Sequence, residues 1–227
     1  MIVVIDGPAG AGKSSTAKAV ARHSDIDYID SGAMYRGFAV LYNQVGRDKT
    51  SFFEAIENKP LQFEFHRDES RVYLHSREIT NLLRSDEVNE VVSEVAAMPE
   101  VRYQVMLELR KAVQNKECIA EGRDLGTVVF PEADLKFFLT ADLDERARRR
   151  LLEQEEEPDQ SGNFFQKVRQ NLMQRDRTDS SRDEAPLQKA PDAIELDTTS
   201  LSFDSQVKKI TEAIERKRSK GIGSSTQ

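Results

Sequence analysis

Apolar residues along the chain follow two rhythms. Met1–Asp6, Ile26–Asp30, Glu117–Ala120, Leu135–Leu139 and Ala193–Asp197 are short runs in which apolar residues predominate, as expected of core strands in a parallel sheet. Between them, apolar positions recur at helical spacing. Ala17, Val20 and Ala21 form one such stripe, and Val88, Val91, Val92 and Val95 a second. Further stripes are Val101, Val105, Leu109, Ala112 and Val113, then Phe164, Val168 and Leu172, then Val207, Ile210 and Ile214. A further helix is expected from Ala33 to about Tyr42, with Ser31 as its candidate cap. Ser85 can cap the helix that Asp86 and Glu87 begin, and Pro99 can open the next. Ser51 and Glu54 read as a capping box, Asp142 and Glu145 as a capping pair, and Asn163 as another cap.

One stretch departs from the alternation of strand and helix. Leu61–His66 and Arg71–His75 alternate strictly, joined by the polar Arg67–Ser70, and so predict a half-buried antiparallel hairpin. Residues 38–84 are therefore expected to form an insertion in a core of residues 1–37 and 85–218, with 219–227 as a disordered tail. The fold class is α/β. A chain of 227 residues suits one main domain of this kind with a small insertion.

Composition narrows the partners. The net charge of −7 disfavours a broad nucleic-acid or anionic-membrane surface. No apolar run approaches the roughly 20 residues needed to span a bilayer. Met1 leads directly into the first strand, so no signal peptide is expected. Cys118 is the single cysteine and can form no internal disulfide, which suits a reducing cytoplasm. His23, His66 and His75 stand apart, without metal-ligand spacing.

The densest chemistry lies immediately after the first strand. Gly7-Pro8-Ala9-Gly10-Ala11-Gly12-Lys13-Ser14 fits the phosphate-loop pattern G-x-x-x-x-G-K-[ST], and Ser15 continues it into a helix. Glycines let backbone N–H groups approach phosphate oxygens, and the helix N-terminus adds donors and partial positive charge. Lys13 is expected at the β- and γ-phosphates of a nucleoside triphosphate, and the Ser14 hydroxyl on Mg²⁺. Later candidates are less specific by themselves. Ser31 and Arg36 follow the second strand. Glu121-Gly122-Arg123-Asp124-Leu125-Gly126-Thr127 follows the third strand, at the same sheet edge as the phosphate loop. Arg146, Arg148, Arg149 and Arg150 share one helix, whose acidic continuation runs from Glu153 to Pro158. If helical geometry persists, Arg175, Asp179 and Arg182 share a face, where a carboxylate between two guanidinium groups suits a sugar hydroxyl beside a phosphate.

Taken in order, the phosphate loop, Asp30–Arg36, Ser93–Arg102, Gly122–Pro131 and Arg175–Arg182 make the chain resemble bacterial cytidylate kinases, within the P-loop nucleoside monophosphate kinases, from about residue 2 to residue 215. The resemblance implies a five-stranded parallel sheet flanked by helices, an insertion that binds the monophosphate, and a short lid at about 146–167. It implies transfer of the γ-phosphoryl of ATP to CMP or dCMP with Mg²⁺, by a cytoplasmic monomer with no nucleic-acid or membrane partner. Carried over by motif position, Ser31 and Arg36 would face the CMP sugar and phosphate. Ser93, Arg102 and Asp124 would read cytosine, and Arg123 and Arg182 would hold the CMP phosphate. Arg175 and Asp179 would complete the sugar and phosphate contacts. Lys13, Arg123, Arg182, Arg146 and Arg150 would act on the transferring group. Glu121 stands where many relatives carry Asp. Two other readings stay open. A kinase for a metabolite hydroxyl would want Asp30 or Asp124 as a base. A guanine-nucleotide switch would need the N-K-x-D pattern that Asn115-Lys116 begins.

Overall fold

A computed structural model describes residues 1–153 and 163–223, with side chains through Lys220. Strand β1 (Ile2–Asp6) leads through the phosphate loop into helix α1 (Lys13–Ser24), and β2 (Asp27–Asp30) into α2 (Ser31–Gln44). Helix α3 (Lys49–Glu57) and strands β3 (Leu61–Phe65), β4 (Ser70–Leu74) and β5 (Arg77–Glu78) follow. Helices α4 (Asp86–Val95) and α5 (Pro99–Ala112) return to the core at β6 (Cys118–Gly122). The chain ends with β7 (Leu135–Thr140), α6 (Leu143–Glu153), α7 (Asn163–Ser180), β8 (Ile194–Asp197) and α8 (Phe203–Gly223).

Among the described residues, one parallel sheet has the order β2-β6-β1-β7-β8, and a separate three-stranded antiparallel sheet the order β3-β4-β5. The expected α/β core of five parallel strands is therefore present, and the expected hairpin gains a short third strand. Successive residues of β1 point to opposite faces. Val4 packs with Ile29, Cys118 and Ala120 under α2, α4 and α5, while Val3 and Ile5 pack with Phe137 and Leu139 under α1 and α8. This burial on both faces explains the nearly uninterrupted apolar runs.

The insertion shares the first of these cores. Val72 and Leu74 of β4 and Ile56 of α3 join the same cluster as Val4 and Ile29. Position 38, the expected boundary, lies within α2. Gly37 lets that helix approach β4, since a Cβ there would stand 2.9 Å from Val72 Cγ1.

Several local expectations are corrected. Asp30, not Ser31, caps α2 by accepting the Ala33 N–H at 2.9 Å. Ser31 lies one residue too far along to cap, and its hydroxyl donates to the Glu121 carbonyl at 2.7 Å. Asp48 caps α3 by accepting the Ser51 N–H, so Ser51 and Glu54 lie inside the helix. The Asp142 N–H expected to meet Glu145 donates to the Thr199 hydroxyl at 2.9 Å, and Glu145 pairs with Arg148 and Arg149. The tail expected from 219 is helical as far as Gly223, with the Ser219 hydroxyl donating to the Glu215 carbonyl. Residues 224–227 lie outside the described residues.

Candidate active site

Strand register assembles the site. Asp6 at the end of β1 pairs with Gly122 of β6, and Asp30 at the end of β2 pairs with Glu121. The phosphate loop, the turn into α2 and the segment from Gly122 onward therefore emerge side by side from the carboxyl edge, where ligands of such sheets gather. They open into a cleft of about 630 Å³.

The donor side is mostly backbone. At Gly7 a Cβ would stand 2.1 Å from the Leu139 carbonyl oxygen, and Gly12 adopts φ 88°. Only glycine satisfies both conditions, which bend the loop into α1. Lys13 is 5 % exposed and donates to the Pro8 carbonyl at 2.9 Å. Burial, with the Arg123 charge next, pushes its ammonium down to about 7, and an anion beside it would favour the charged form. The Ser14 hydroxyl bonds the Glu121 carboxylate, which also accepts from the Tyr28 hydroxyl at 3.2 Å. Burial and Asp30 push that carboxylate up, against the pull of Lys13. Among the described residues no three acids, cysteines or histidines cluster for a metal. A hydroxyl beside a carboxylate nevertheless fits Mg²⁺, which keeps several waters and takes its remaining oxygens from phosphates.

The other wall is guanidinium. Arg123 donates through Nε to Asp179 Oδ2 and through Nη1 to the Gly7 carbonyl, both at 3.0 Å. Arg182 takes the other oxygen of Asp179. Burial would raise this carboxyl, but Arg123, Arg182 and Arg175 outweigh it and hold it below its usual range. The Nε atoms of Arg36, Arg175 and Arg182 are buried without a partner. Burial pushes the Arg175 guanidinium down to about 9, with Arg123 and Arg36 adding to the effect. Buried cationic donors left unpaired are costly, and an anion that accepts from them removes that cost.

Beside this cluster, Arg102 donates through Nη2 to Asp124 Oδ2 at 2.5 Å and through Nη1 to the Ala96 carbonyl. Its guanidinium lies 5.8 Å from the Tyr35 ring centroid. Both side chains of the Arg102–Asp124 pair line the cleft. Helix α4 contributes Val92 to the wall, and Ala96 follows just past its end, but Ser93, half-buried, does not line it.

The arginines of α6 divide. Arg146, expected at the transferring group, is a strut instead. It is 7 % exposed and donates to the carbonyls of Ala9 and Ala141 and to Asp176 of α7. Its place in the first turn of α6, with Cβ 3.0 Å from where a Gly10 Cβ would stand, fixes it under the phosphate loop. Arg149 is held by Glu145 and Thr198, and Arg148 lies outside on Glu145. Arg150 alone of the four lines the cleft, paired with Glu153 at 3.0 Å. Of the expected lid, residues 154–162 lie outside the described residues.

A profile for cytidylate kinase matches residues 3–216. A cytidylate kinase of Carboxydothermus hydrogenoformans is 40 % identical over 223 residues, covering 96 % of this chain and 98 % of that protein. The chain belongs to the cytidylate kinase family. A second family member, from Halalkalibacterium halodurans, is 43 % identical over 209 residues, covering 89 % of this chain and 92 % of its own. An uncharacterized protein from Eubacterium ventriosum shares the fold alone, at 12 % identity and a TM-score of 0.51, with 95 % of this chain and 98 % of that chain covered.

Within this member of the cytidylate kinase family, the cleft also uses residues that sequence patterning did not single out. Tyr28 reaches Glu121 from β2, Tyr35 lies under Arg102, and Arg84 lines the wall just ahead of α4. Tyr28 and Tyr35 carry the only available signal, a polar-tipped aromatic in an otherwise apolar or helical run. Nothing in the local pattern distinguishes Arg84 from a surface arginine.

Proposed function

We propose that the chain transfers the γ-phosphoryl group of ATP to CMP or dCMP, giving ADP and CDP or dCDP. Family membership supports the reaction, and the three buried guanidinium groups with unpaired Nε atoms carry the assignment of a phosphate acceptor. Arg36, Arg123, Arg175 and Arg182 hold the acceptor phosphate, and Asp179 orients two of them while facing the sugar. Asp124 accepts from the cytosine amino group and Arg102 donates to a ring acceptor, with Ser31 holding the turn beside them. Gly7 to Ser15 wrap the ATP phosphates, and Lys13 and Arg150 reach the transferring group.

The acceptor is a phosphate oxygen, already ionised near neutrality because the second phosphate pKa is about 6. No general base is required. The barrier is the approach of two polyanions, which the arginines and Lys13 neutralise while holding donor and acceptor in line. Ser14, with Glu121 beside it, would hold Mg²⁺, which would supply further neutralisation of the phosphate charge. Transfer is direct, without a phospho-enzyme. We assign the enzyme as a monomer. No described helix is long and apolar enough to cross a membrane, and we assign the enzyme to the cytoplasm.

The competing readings fit the geometry less well. Asp30 accepts the Ala33 N–H and Asp124 pairs with Arg102, and the guanidinium groups between them suit an anionic acceptor better than a neutral hydroxyl. Asn115 and Lys116 precede β6, at the edge of the sheet away from the cleft, where Lys116 pairs with Asp27 at 3.1 Å. The deciding experiment supplies ATP and Mg²⁺ with CMP, dCMP, UMP, AMP or hydroxylated metabolites, to wild type and to Asp124→Ala. Wild type is expected to favour CMP and dCMP, and the variant to lose its preference over UMP. Absence of CDP from wild type removes the function, and an unchanged preference in the variant removes Asp124 from the base.

A further inference from the structure

Asp124 occupies the N-cap position of one wide helical turn, Leu125–Val129. The Val129 N–H closes that turn onto the Asp124 carbonyl at 3.4 Å, beside the Val128 N–H at 2.9 Å, and the Phe130 N–H closes onto the Leu125 carbonyl at 2.6 Å. An aspartate at such a position usually folds its carboxylate back onto N–H groups two or three residues ahead. Asp124 makes no such bond, and its carboxylate reaches into the cleft to Arg102. Of those donors the Gly126 N–H is met from another element, which also takes the Leu125 N–H one residue ahead. Asp6, at the end of β1, accepts the Leu125 N–H on Oδ1 at 3.0 Å and the Gly126 N–H on Oδ2 at 2.7 Å.

This arrangement is costly to maintain. Asp6 is 4 % exposed, and burial pushes its carboxyl up to about 6 despite the two N–H bonds that lower it. The turn has little slack, because a Cβ at Gly126 would stand 3.3 Å from Lys136 Cδ and Val4 Cγ2 and 3.4 Å from Asp6 Oδ2. The residue after β1, Gly7, belongs to the donor loop, and its carbonyl holds Arg123. Thus Asp6 and Gly7 together fasten the segment that carries Arg123 and Asp124.

We propose that Asp6 is a positioning residue that sets nucleobase selectivity: by capping the turn from outside, it leaves the Asp124 carboxylate free to face the acceptor base. The proposal rests on the assignment of Asp124 to cytosine. An asparagine at position 6 has one acceptor oxygen for two N–H donors. The nearest replacement cap is Asp124 itself, and a carboxylate that turns back to serve it leaves Arg102 and the base.

The test measures kcat/KM for CMP and for UMP in wild type, Asp6→Asn, Asp124→Asn and the double variant. Asp6→Asn is expected to lower the CMP-to-UMP ratio about tenfold, the scale of a lost cap. The loss falls mainly on KM for CMP, with KM for ATP within about twofold of wild type. On the Asp124→Asn background the same change should leave the ratio where it was. An equal fall for CMP and UMP, or a ratio drop that persists undiminished in the double variant, overturns the proposal while Asp124 keeps its role. A ratio in Asp124→Asn equal to wild type overturns both. Should Asp6→Asn fail to fold, Gly126→Ala, with its fold checked by circular dichroism, crowds the turn against Val4 and Lys136 beside the same contact. It should lower the ratio in the same direction, and an unchanged ratio overturns the proposal.

Discussion

Under the proposed function, the two walls of the cleft hold negative charge by different means. The donor wall is one continuous stretch, Gly7 to Ser15, whose donors are backbone N–H groups at the start of α1, with Lys13 as the single cation inside it. The acceptor wall takes Arg36 from α2, Arg102 from α5, Arg123 from just past β6, and Arg175 from α7, with Arg182 beyond its end. Backbone donors keep their direction because the loop's fold keeps it. Guanidinium groups on long side chains have to be aimed, and carboxylates aim several of them: Asp179 holds Arg123 and Arg182, and Asp124 holds Arg102. One wall is preorganised mainly by chain geometry and the other by ion pairs, and the second relies on buried acids kept in place to aim its arginines.

Breaking each wall should therefore give different signatures. Lys13→Met removes the one mobile charge of the donor wall and should lower kcat about a thousandfold, with the melting temperature held or raised, because the lysine is buried at a cost. Steady-state kinetics and thermal denaturation check both parts, and a kcat within tenfold of wild type (about 1.4 kcal/mol) places the lysine outside the transfer step. Asp179→Asn acts on the acceptor wall and should cost stability as well as affinity. It leaves two guanidinium groups without their shared carboxylate, a loss of roughly 3–5 kcal/mol for a buried pair, read by denaturant unfolding together with a raised KM for CMP. A variant as stable as wild type removes the aiming role.

The smallest effect sharpens the contrast through pH. Lys13 has its folded pKa pushed down from 10.5 to about 7. Between those values the folded, ligand-free chain binds fewer protons than the unfolded one, so this group makes stability rise with pH over that window. Phosphate oxygens restore the proton, so ATP binding at about pH 8 should take up a proton and weaken as pH climbs above about 7. Calorimetry in buffers of different ionisation enthalpy reads the uptake, and buffer-independent heats would show that the lysine is already charged.

The residues divide along the same line when sequence is set against structure. The phosphate loop is legible because all of its function is local: a strand, glycines at fixed spacing and a lysine at the head of a helix. The strands and amphipathic helices are legible because period and burial coincide, as in Val88, Val91, Val92 and Val95 of α4, all buried. Arg146 and Arg150 are not separable by pattern, being one turn apart on the same helix. Packing alone commits the first to Ala9 and Asp176 and leaves the second on the cleft. Ser31 and Asp30 are both ordinary capping residues, and the choice between them follows from the Glu121 carbonyl that the Ser31 hydroxyl meets across the strand ends.

By itself, then, the order of residues determined that a phosphate-loop motif would stand at the end of the first strand, since the whole motif lies within a few consecutive positions. Which acids aim which arginines, and that Asp6 caps a turn more than a hundred residues away, was decided only when parallel pairing brought β1 and β6 side by side. A side chain's free direction depends on which neighbour has already satisfied the backbone around it, and that neighbour is chosen by the fold.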